Sequence, residues 1–171
     1  MLLFWNSEDK MESMDKSVEI KLADSAATEV LGRQLGAVAK SGDVFCFTGD
    51  LGAGKTLMSR GIAVALGVDE GDVNSPTFAI MNVYNGRDLE VRHFDLYRLN
   101  RPEELDDIGF GEYAGGDGVT LIEWAELFPD ALPEEYLQIT LLIDGAGRRA
   151  VLTPRGARYE KLLKELSKEV K

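Results

Sequence analysis

Eight consecutive residues combine glycines, a lysine and a threonine at a spacing that suits phosphate binding. The run Gly49-Asp50-Leu51-Gly52-Ala53-Gly54-Lys55-Thr56 fits the pattern G-x-x-x-x-G-K-[S/T] in full. Its three glycines would let backbone N–H groups surround a phosphate without clashes from Cβ atoms. Lys55 would contact the outer phosphate oxygens, and the hydroxyl of Thr56 would ligate Mg²⁺. The run therefore predicts a site for a nucleoside triphosphate with Mg²⁺.

Such a site needs a further carboxylate on the metal side, and two residues are candidates. Glu123 follows the apolar or β-branched run Val119-Thr120-Leu121-Ile122, which is typical of a buried parallel strand. Asp95 follows a more polar strand, so a role near the attacking water or behind the metal ligands suits it better. Ligands of α/β sheets lie at the carboxyl ends of the strands, which favours Glu123 as the metal ligand.

Three further features are ambiguous from the residues alone. Thr77, in Ser75-Pro76-Thr77-Phe78, stands where P-loop switch proteins sense the γ-phosphate, but a Ser-Pro turn before a strand is the simpler interpretation. His93 is the only histidine, and a packed or supporting role is favoured over metal binding. Trp124 could be a core aromatic residue or a wall of the nucleotide pocket.

The surrounding pattern predicts the elements that position these residues. A buried strand at residues 44–47 precedes the glycine run, and a helix capped by Gly67 follows it. Strands at residues 78–84 and 89–95 are joined by Asn85-Gly86, and a second hairpin spans residues 137–152. Asn100 and Glu103 resemble a capping box. We expect an α/β fold, a P-loop NTPase-like three-layer sandwich with a mostly parallel central sheet and added antiparallel hairpins.

Domain organisation and location follow from composition. Residues 18–171 suit one domain ending in an amphipathic helix, and residues 1–17 are interpreted as a flexible extension. The net charge is −11, with residues 1–147 at −16 and residues 148–171 at +5, so extensive direct binding of nucleic acid is disfavoured. The single cysteine, Cys46, and the short apolar start favour a cytoplasmic protein without a membrane segment.

Several motifs in order resemble one family, the TsaE (YjeE) P-loop proteins of bacterial tRNA threonylcarbamoyladenosine synthesis. These motifs are G-D-L-G-A-G-K-T (49–56), S-P-T-F (75–78), H-F-D-L-Y-R-L (93–99), P-E-E-L (102–105) and I-E-W (122–124). The resemblance covers about residues 18–153, and the N-terminal extension departs from it. It implies that Thr56 and Glu123 hold Mg²⁺, that Lys55 contacts phosphate, and that Asp95 and Thr77 support hydrolysis.

The same resemblance implies the nucleotide and the partners. The nucleotide would be ATP, with its adenine side flanked by Asp24 to Thr28 and by Gly147-Arg148. Proteins of this family bind the TsaD–TsaB pair, and their ATP hydrolysis permits repeated turnover in the modification of tRNA adenosine 37. Contact with tRNA would be indirect. No arginine finger is obvious in the sequence, although Arg60 and Arg98 are candidates. Because hydrolysis is slow without such an arginine, we expect a weak ATPase that is stimulated by partners.

Two other function classes share parts of this pattern. A small-molecule or nucleotide kinase would have the same loop and metal ligand, but the region of an arginine-bearing lid is here the short acidic loop between Pro129 and Pro133. A guanine-nucleotide switch would need an Asn-Lys-x-Asp element, which follows none of the late strands. Phosphate transfer to an added acceptor would favour the kinase, and a preference for GTP would favour the switch.

Overall fold

The computed structural model describes residues 16–74, 76 and 79–169, and describes Leu3–Trp5 by its backbone. The strands are β1 (Leu3–Trp5), β2 (Val18–Leu22), β3 (Val44–Thr48), β4 (Met81–Asn85), β5 (Glu90–Asp95), β6 (Val119–Glu123), β7 (Tyr136–Asp144) and β8 (Gly147–Arg155). The helices are α1 (Ser25–Val38), α2 (Lys55–Ala65), α3 (Glu103–Asp107), α4 (Phe110–Tyr113) and α5 (Ala157–Glu169). Short 3₁₀ turns lie at Glu70–Asp72, Ala125–Leu127 and Pro129–Ala131.

The described strands form one mixed sheet in the order β1-β2-β8-β7-β3-β6-β5-β4. The four middle strands, β7, β3, β6 and β5, run parallel to one another. The strands outside them pair antiparallel, and the predicted hairpins are β4–β5 and β7–β8. An α/β fold with a parallel centre and antiparallel additions is confirmed, although antiparallel pairings outnumber parallel ones over the whole described sheet.

The middle of the sheet is covered on both faces, which explains its continuous apolar runs. Along β3, Phe45 and Phe47 pack into a core shared with α1, α2 and α5. Val44 and Cys46 point to the other face, where the core includes residues of β5, α3 and α4. The alternation follows from the two-residue period of a strand. Both faces are largely apolar, and the buried carboxylates of these strands, Asp95 and Glu123, stand at strand ends.

Helices α1 and α2 approach each other closely through glycines. A Cβ atom at Gly61 of α2 would lie 2.5 Å from the carbonyl oxygen of Glu29 in α1, and one at Gly36 would lie 2.6 Å from that of Ile62. Side chains at these positions would force the helices apart. The close contact fixes α1, which begins beside Asp24, against the helix that follows the glycine run.

The strand predicted over residues 78–84 begins later than expected. β4 starts at Met81, and Ile80 has a φ of +68°, a conformation that a β-branched residue rarely adopts. Such a backbone turn cannot continue a strand, so the strand begins after it. Ser75, Thr77 and Phe78 lie outside the described residues.

The predicted capping box at Asn100 and Glu103 is wrong, because the accepting carboxylate belongs to Glu104 and not to Glu103. Helix α3 begins at Glu103, and the carboxylate of Glu104 accepts the backbone N–H groups of Asn100 (2.7 Å) and Arg101 (2.8 Å). Pro102 lacks an N–H group and occupies the N-cap position, which moves the start of the helix along the chain.

The interpretation of residues 1–17 as a loose extension does not hold throughout. Leu3–Trp5 pairs antiparallel with β2 as the outer strand of the sheet. Lys16 lies 2.7 Å from Glu160 of α5, and the hydroxyl of Ser17 lies 2.9 Å from that of Thr153. Backbone pairing of this kind does not require a periodic side-chain pattern, so the sequence of the extension did not indicate it.

Candidate functional site

The glycine run forms the turn between β3 and α2. β3 ends at Thr48 and α2 begins at Lys55, so the run occupies the carboxyl end of a central parallel strand and the N-terminus of a helix. Gly54 precedes the helix with a φ of +106°, and a Cβ atom at Gly49 would lie 2.5 Å from the carbonyl oxygen of Leu141. Both positions therefore require glycine. A helix N-terminus with free N–H groups attracts anions, so the local geometry suits a phosphate.

Lys55 is folded back onto this loop. Its Nζ donates to the carbonyl oxygens of Gly49 and Asp50, the latter at 3.0 Å, and lies 4.0 Å from the centre of the Trp124 ring. The side chain is 5% exposed, and burial lowers the pKa of its amine, while nearby carboxylates, first Glu123, oppose that shift. The cation is thus held among loop carbonyls, an aromatic face and acidic groups.

Glu123 and Thr56 are in direct contact, as their proposed common role requires. The hydroxyl of Thr56 donates to Oε2 of Glu123 over 3.1 Å. The other carboxylate oxygen, Oε1, lies 2.7 Å from Nε2 of His93. Glu123 ends β6 and is 2% exposed, so the neighbours of its carboxylate are set by packed elements.

Asp95 lies beside Glu123 at the same edge of the sheet. The two are partners in the parallel register of β5 and β6, and Asp95 is 4% exposed. Its Oδ1 accepts the backbone N–H of Tyr97 at 3.0 Å. Both candidate carboxylates therefore meet at the carboxyl ends of adjacent strands, where the argument from the sequence expected them.

A cavity of about 380 Å³ opens between the loop and these carboxylates. The rings of Tyr97 and Trp124 form one side, with centroids 4.8 Å apart and planes tilted by 42°. Trp124 has a φ of +59°, so its backbone turns sharply directly after Glu123. The cavity is lined by Leu51, Gly52, Gly54, Lys55, Thr56, Leu57, Asp95, Tyr97, Glu123 and Trp124. Lys55 is the only cation in this described lining.

A second cavity, of about 160 Å³, lies on the other side of the loop. It brings together Asp24, Thr28, Gly147 and Arg148, from the segments that the resemblance assigned to the adenine side, with residues of the loop. Arg148 donates through Nη2 to the carbonyl oxygen of Gly52 at 3.0 Å. Gly52, Gly54 and Leu57 line both cavities, so both border the glycine turn and the first turn of α2.

Three further residues predicted for the site are Thr77, Arg60 and Arg98. Thr77 lies outside the described residues. Arg60, one candidate arginine finger, contacts Glu70 at 3.0 Å, and neither Arg60 nor Arg98 is part of the described cavity lining. Sequence reasoning did not assign Tyr97 to the site, although its place two residues after Asp95 was a signal that it shares the same strand end.

The fold and the site define an α/β protein with a glycine turn at the carboxyl edge of its parallel strands. This turn faces two buried carboxylates. A family model described as "Threonylcarbamoyl adenosine biosynthesis protein TsaE" matches residues 22–151. The chain therefore belongs to the TsaE family, whose role is in tRNA threonylcarbamoyladenosine biosynthesis.

Individual relatives agree with this assignment. The chain is 42% identical over 154 residues to the tRNA threonylcarbamoyladenosine biosynthesis protein TsaE of Bacillus subtilis (strain 168), covering 90% of this chain and 96% of that protein. It is 40% identical over 120 residues to the TsaE protein of Treponema pallidum (strain Nichols), covering 70% and 87%. The crystal structure of Bacillus subtilis YdiB is similar with a TM-score of 0.77 and 34% identity, covering 94% of this chain and all of that one.

In residues 16–74, 76 and 79–169 no helix is long and apolar enough to cross a bilayer.

Proposed function

We propose that this chain binds ATP with Mg²⁺ and hydrolyses it as an accessory protein of tRNA adenosine 37 modification, acting on the TsaD–TsaB pair in the cytoplasm. The observation that carries the proposal is the contact of Thr56 with Glu123 at the mouth of the glycine turn. A hydroxyl and a carboxylate joined beside a helix N-terminus are the protein side of a P-loop Mg²⁺ site. The fold is accordingly taken as a P-loop NTPase-like sandwich.

The residues present fit both the phosphates and the metal. The N-terminus of α2, which follows the glycine turn, has no side-chain cap and suits an anion, and the two hard oxygen ligands suit Mg²⁺. Among the described residues no group of three or more His, Cys, Asp or Glu side chains could hold a metal ion. A site with two protein ligands is usual for Mg²⁺ with a nucleotide, since phosphates and water complete the shell. When bound, the ion neutralises charge that develops on the phosphates.

The chain's own residues then divide the remaining work. Lys55 would exchange its contacts with the loop carbonyls for contacts with the phosphate oxygens of a nucleotide bound at the same turn. Asp95, in register beside Glu123, is assigned to orienting the attacking water. Thr77 is assigned to sensing of the γ-phosphate through the resemblance alone. Asp24, Thr28, Gly147 and Arg148 border the smaller cavity, which we assign to the adenine side.

Weak activity of the isolated chain is part of the proposal. Lys55 is the only cation lining the larger cavity among the described residues, while Asp95 and Glu123 add negative charge. P-loop hydrolases without an arginine finger are slower by about 10³- to 10⁵-fold. The partner proteins would supply or place the missing positive charge. An acidic subunit that acts on protein partners has no need of an extensive tRNA surface.

ATP turnover with and without TsaB and TsaD tests this proposal. Three proteins are compared: the unaltered chain, Glu123→Ala, and Glu134→Ala as a control at an exposed glutamate near the amino end of β7. We expect the unaltered chain and Glu134→Ala to hydrolyse ATP slowly alone and faster with the partners. Glu123→Ala should lose both the slow turnover and the stimulation. Equal ATP turnover with and without the partners would contradict the accessory role. Transfer of phosphate to an added acceptor would favour a kinase instead.

A further inference from the structure

His93 lies in the middle of β5 and contacts the carboxylate proposed for the metal. It is the only histidine of the chain and is fully buried. Its Nε2 lies 2.7 Å from Oε1 of Glu123, whose side chain is 3% exposed. The pair is therefore shielded from water, and its geometry is set by the packing of adjacent strands.

The surroundings of the imidazole indicate which nitrogen carries hydrogen. Nδ1 is buried and has no hydrogen-bond partner among the described residues. With the hydrogen on Nε2, the ring donates to Oε1 and only a bare acceptor is left unpaired. With the hydrogen on Nδ1, a donor would be buried without a partner and a lone pair would face the carboxylate, which costs more. The contact therefore fits an Nε2–H donor.

This donor gives the two oxygens of Glu123 different partners. Oε1 is bonded to His93, and Oε2 accepts the hydroxyl of Thr56 at 3.1 Å. Rotation of the carboxylate would break both contacts at once. The ring of Tyr84 lies beside the imidazole, with centroids 6.3 Å apart and planes at 48°, and limits its movement. One carboxylate oxygen is thus held facing the glycine turn.

We propose that His93 is a positioning residue whose Nε2–H group holds Oε1 of Glu123 and thereby aims Oε2 at the Mg²⁺ position beside Thr56. This inference rests on the proposed function, because it assigns His93 a part in the metal dependence of nucleotide binding. Hydrogen bonds behind a metal ligand orient it and strengthen binding, and their removal typically weakens metal affinity by about 10- to 100-fold.

Nucleotide affinity measured with and without Mg²⁺ separates this role from a purely structural one. The probes are ADP and a non-hydrolysable ATP analogue, titrated by calorimetry into the unaltered chain, His93→Leu and His93→Gln. We expect His93→Leu to bind nucleotide normally without Mg²⁺. It should need about 10- to 100-fold more Mg²⁺ to reach the higher nucleotide affinity that Mg²⁺ produces in the unaltered chain. His93→Gln offers an amide donor near the position of Nε2, so it should recover most of the loss.

Tyr84→Phe is the control for damage to the surrounding core. It removes the hydroxyl that donates to the carbonyl oxygen of Asn74 at 2.8 Å and leaves the ring beside His93 in place. Its Mg²⁺ dependence should match the unaltered chain. An unchanged Mg²⁺ dependence in His93→Leu would overturn the positioning role of His93 and leave the proposed function standing. Absence of any Mg²⁺ effect in the unaltered chain would instead contradict the proposed function.

The unaltered chain provides a second test that needs no substitution. Because His93 is the only histidine, its ring nitrogens give unambiguous signals in a long-range ¹H–¹⁵N NMR spectrum. We expect hydrogen on Nε2 and none on Nδ1, with the Nε2 signal shifting on addition of Mg²⁺ and nucleotide. Hydrogen on Nδ1 and none on Nε2 would overturn the proposal. This measurement decides the question even if His93→Leu does not fold.

Discussion

The hydroxyl of Thr56 donates to Oε2 of Glu123 across 3.1 Å, joining the first turn of α2 to the end of β6. Both groups belong to regular elements packed into the core, so their separation does not depend on a free loop. Rigid elements place functional side chains more accurately than loops do. The distance between the two groups on the metal side of the proposed site is therefore set by the fold.

Replacing Lys55 should weaken nucleotide binding without unfolding the chain. Lys55→Met keeps the buried stem and removes the charge, and a hydrogen bond to a charged group contributes about 1.5–3 kcal/mol. The expected loss of ATP affinity is about 10- to 100-fold by calorimetry. Lys161→Met, at an exposed position of α5, is the matched control and should bind normally. Equal affinities of the two variants would contradict the role of Lys55.

Tryptophan fluorescence should report the movement of Lys55. Its Nζ lies 4.0 Å from the centre of the Trp124 ring, so its transfer to phosphate changes the ring's surroundings. The chain has one other tryptophan, Trp5, and a Trp5→Phe variant leaves Trp124 as the single tryptophan. We expect ATP to change the emission of Trp5→Phe. A constant emission at saturating ATP would show that Lys55 and Trp124 do not separate.

Much of this site could be predicted from the sequence, because its parts are local patterns. The spacing of Gly49 to Thr56 and the apolar run before Glu123 indicated both the turn and the carboxylate. The contacts of His93 with Glu123 and of Lys55 with Trp124 depend on strand register and on the turn at Trp124. Register is a property of the paired strands, so no local pattern revealed these contacts.

The later start of β4 and the strand at Leu3–Trp5 show the same limit for the fold. The positive φ of Ile80 is imposed by its surroundings, since the residue type argues against it. Leu3–Trp5 pairs through backbone groups with β2, which requires no particular side chains. Both features arise from tertiary pairing, which overrides local preference.

The glycine contact between α1 and α2 should be intolerant of a methyl group. A Cβ atom at Gly61 would approach the carbonyl oxygen of Glu29 to 2.5 Å, so Gly61→Ala should lower the free energy of unfolding by about 1–3 kcal/mol. A Cβ atom at Gly111 would meet no atom within 4 Å, and Gly111→Ala is the matched control. Urea unfolding monitored by circular dichroism measures both. Equal midpoints would contradict the tight helix contact.

Tyr159 should make stability depend on alkaline pH. Its hydroxyl accepts the backbone N–H of Val44 at 2.8 Å, and burial raises the pKa of the phenol from 10.0 to about 12. The unfolded chain then releases this proton at lower pH than the folded chain, so the unfolding free energy should fall as pH rises from about 10 to 12.

Tyr159→Phe should remove that part of the pH dependence. The variant should also be less stable at neutral pH by about 1–3 kcal/mol, because the N–H of Val44 loses its buried partner. Thermal unfolding of both proteins across this pH range provides the comparison. Parallel curves for the two proteins would show that the phenol does not titrate differently on folding.

The most direct test of the central claim counts modified tRNA molecules per TsaD in the presence of TsaB, ATP and this chain. If hydrolysis at the glycine turn serves the partners' cycle, the unaltered chain should support many modifications per TsaD. Glu123→Ala should then restrict the reaction to about one turnover, and Glu134→Ala should behave like the unaltered chain. Repeated turnover with Glu123→Ala, at the level of the unaltered chain, would contradict the claim.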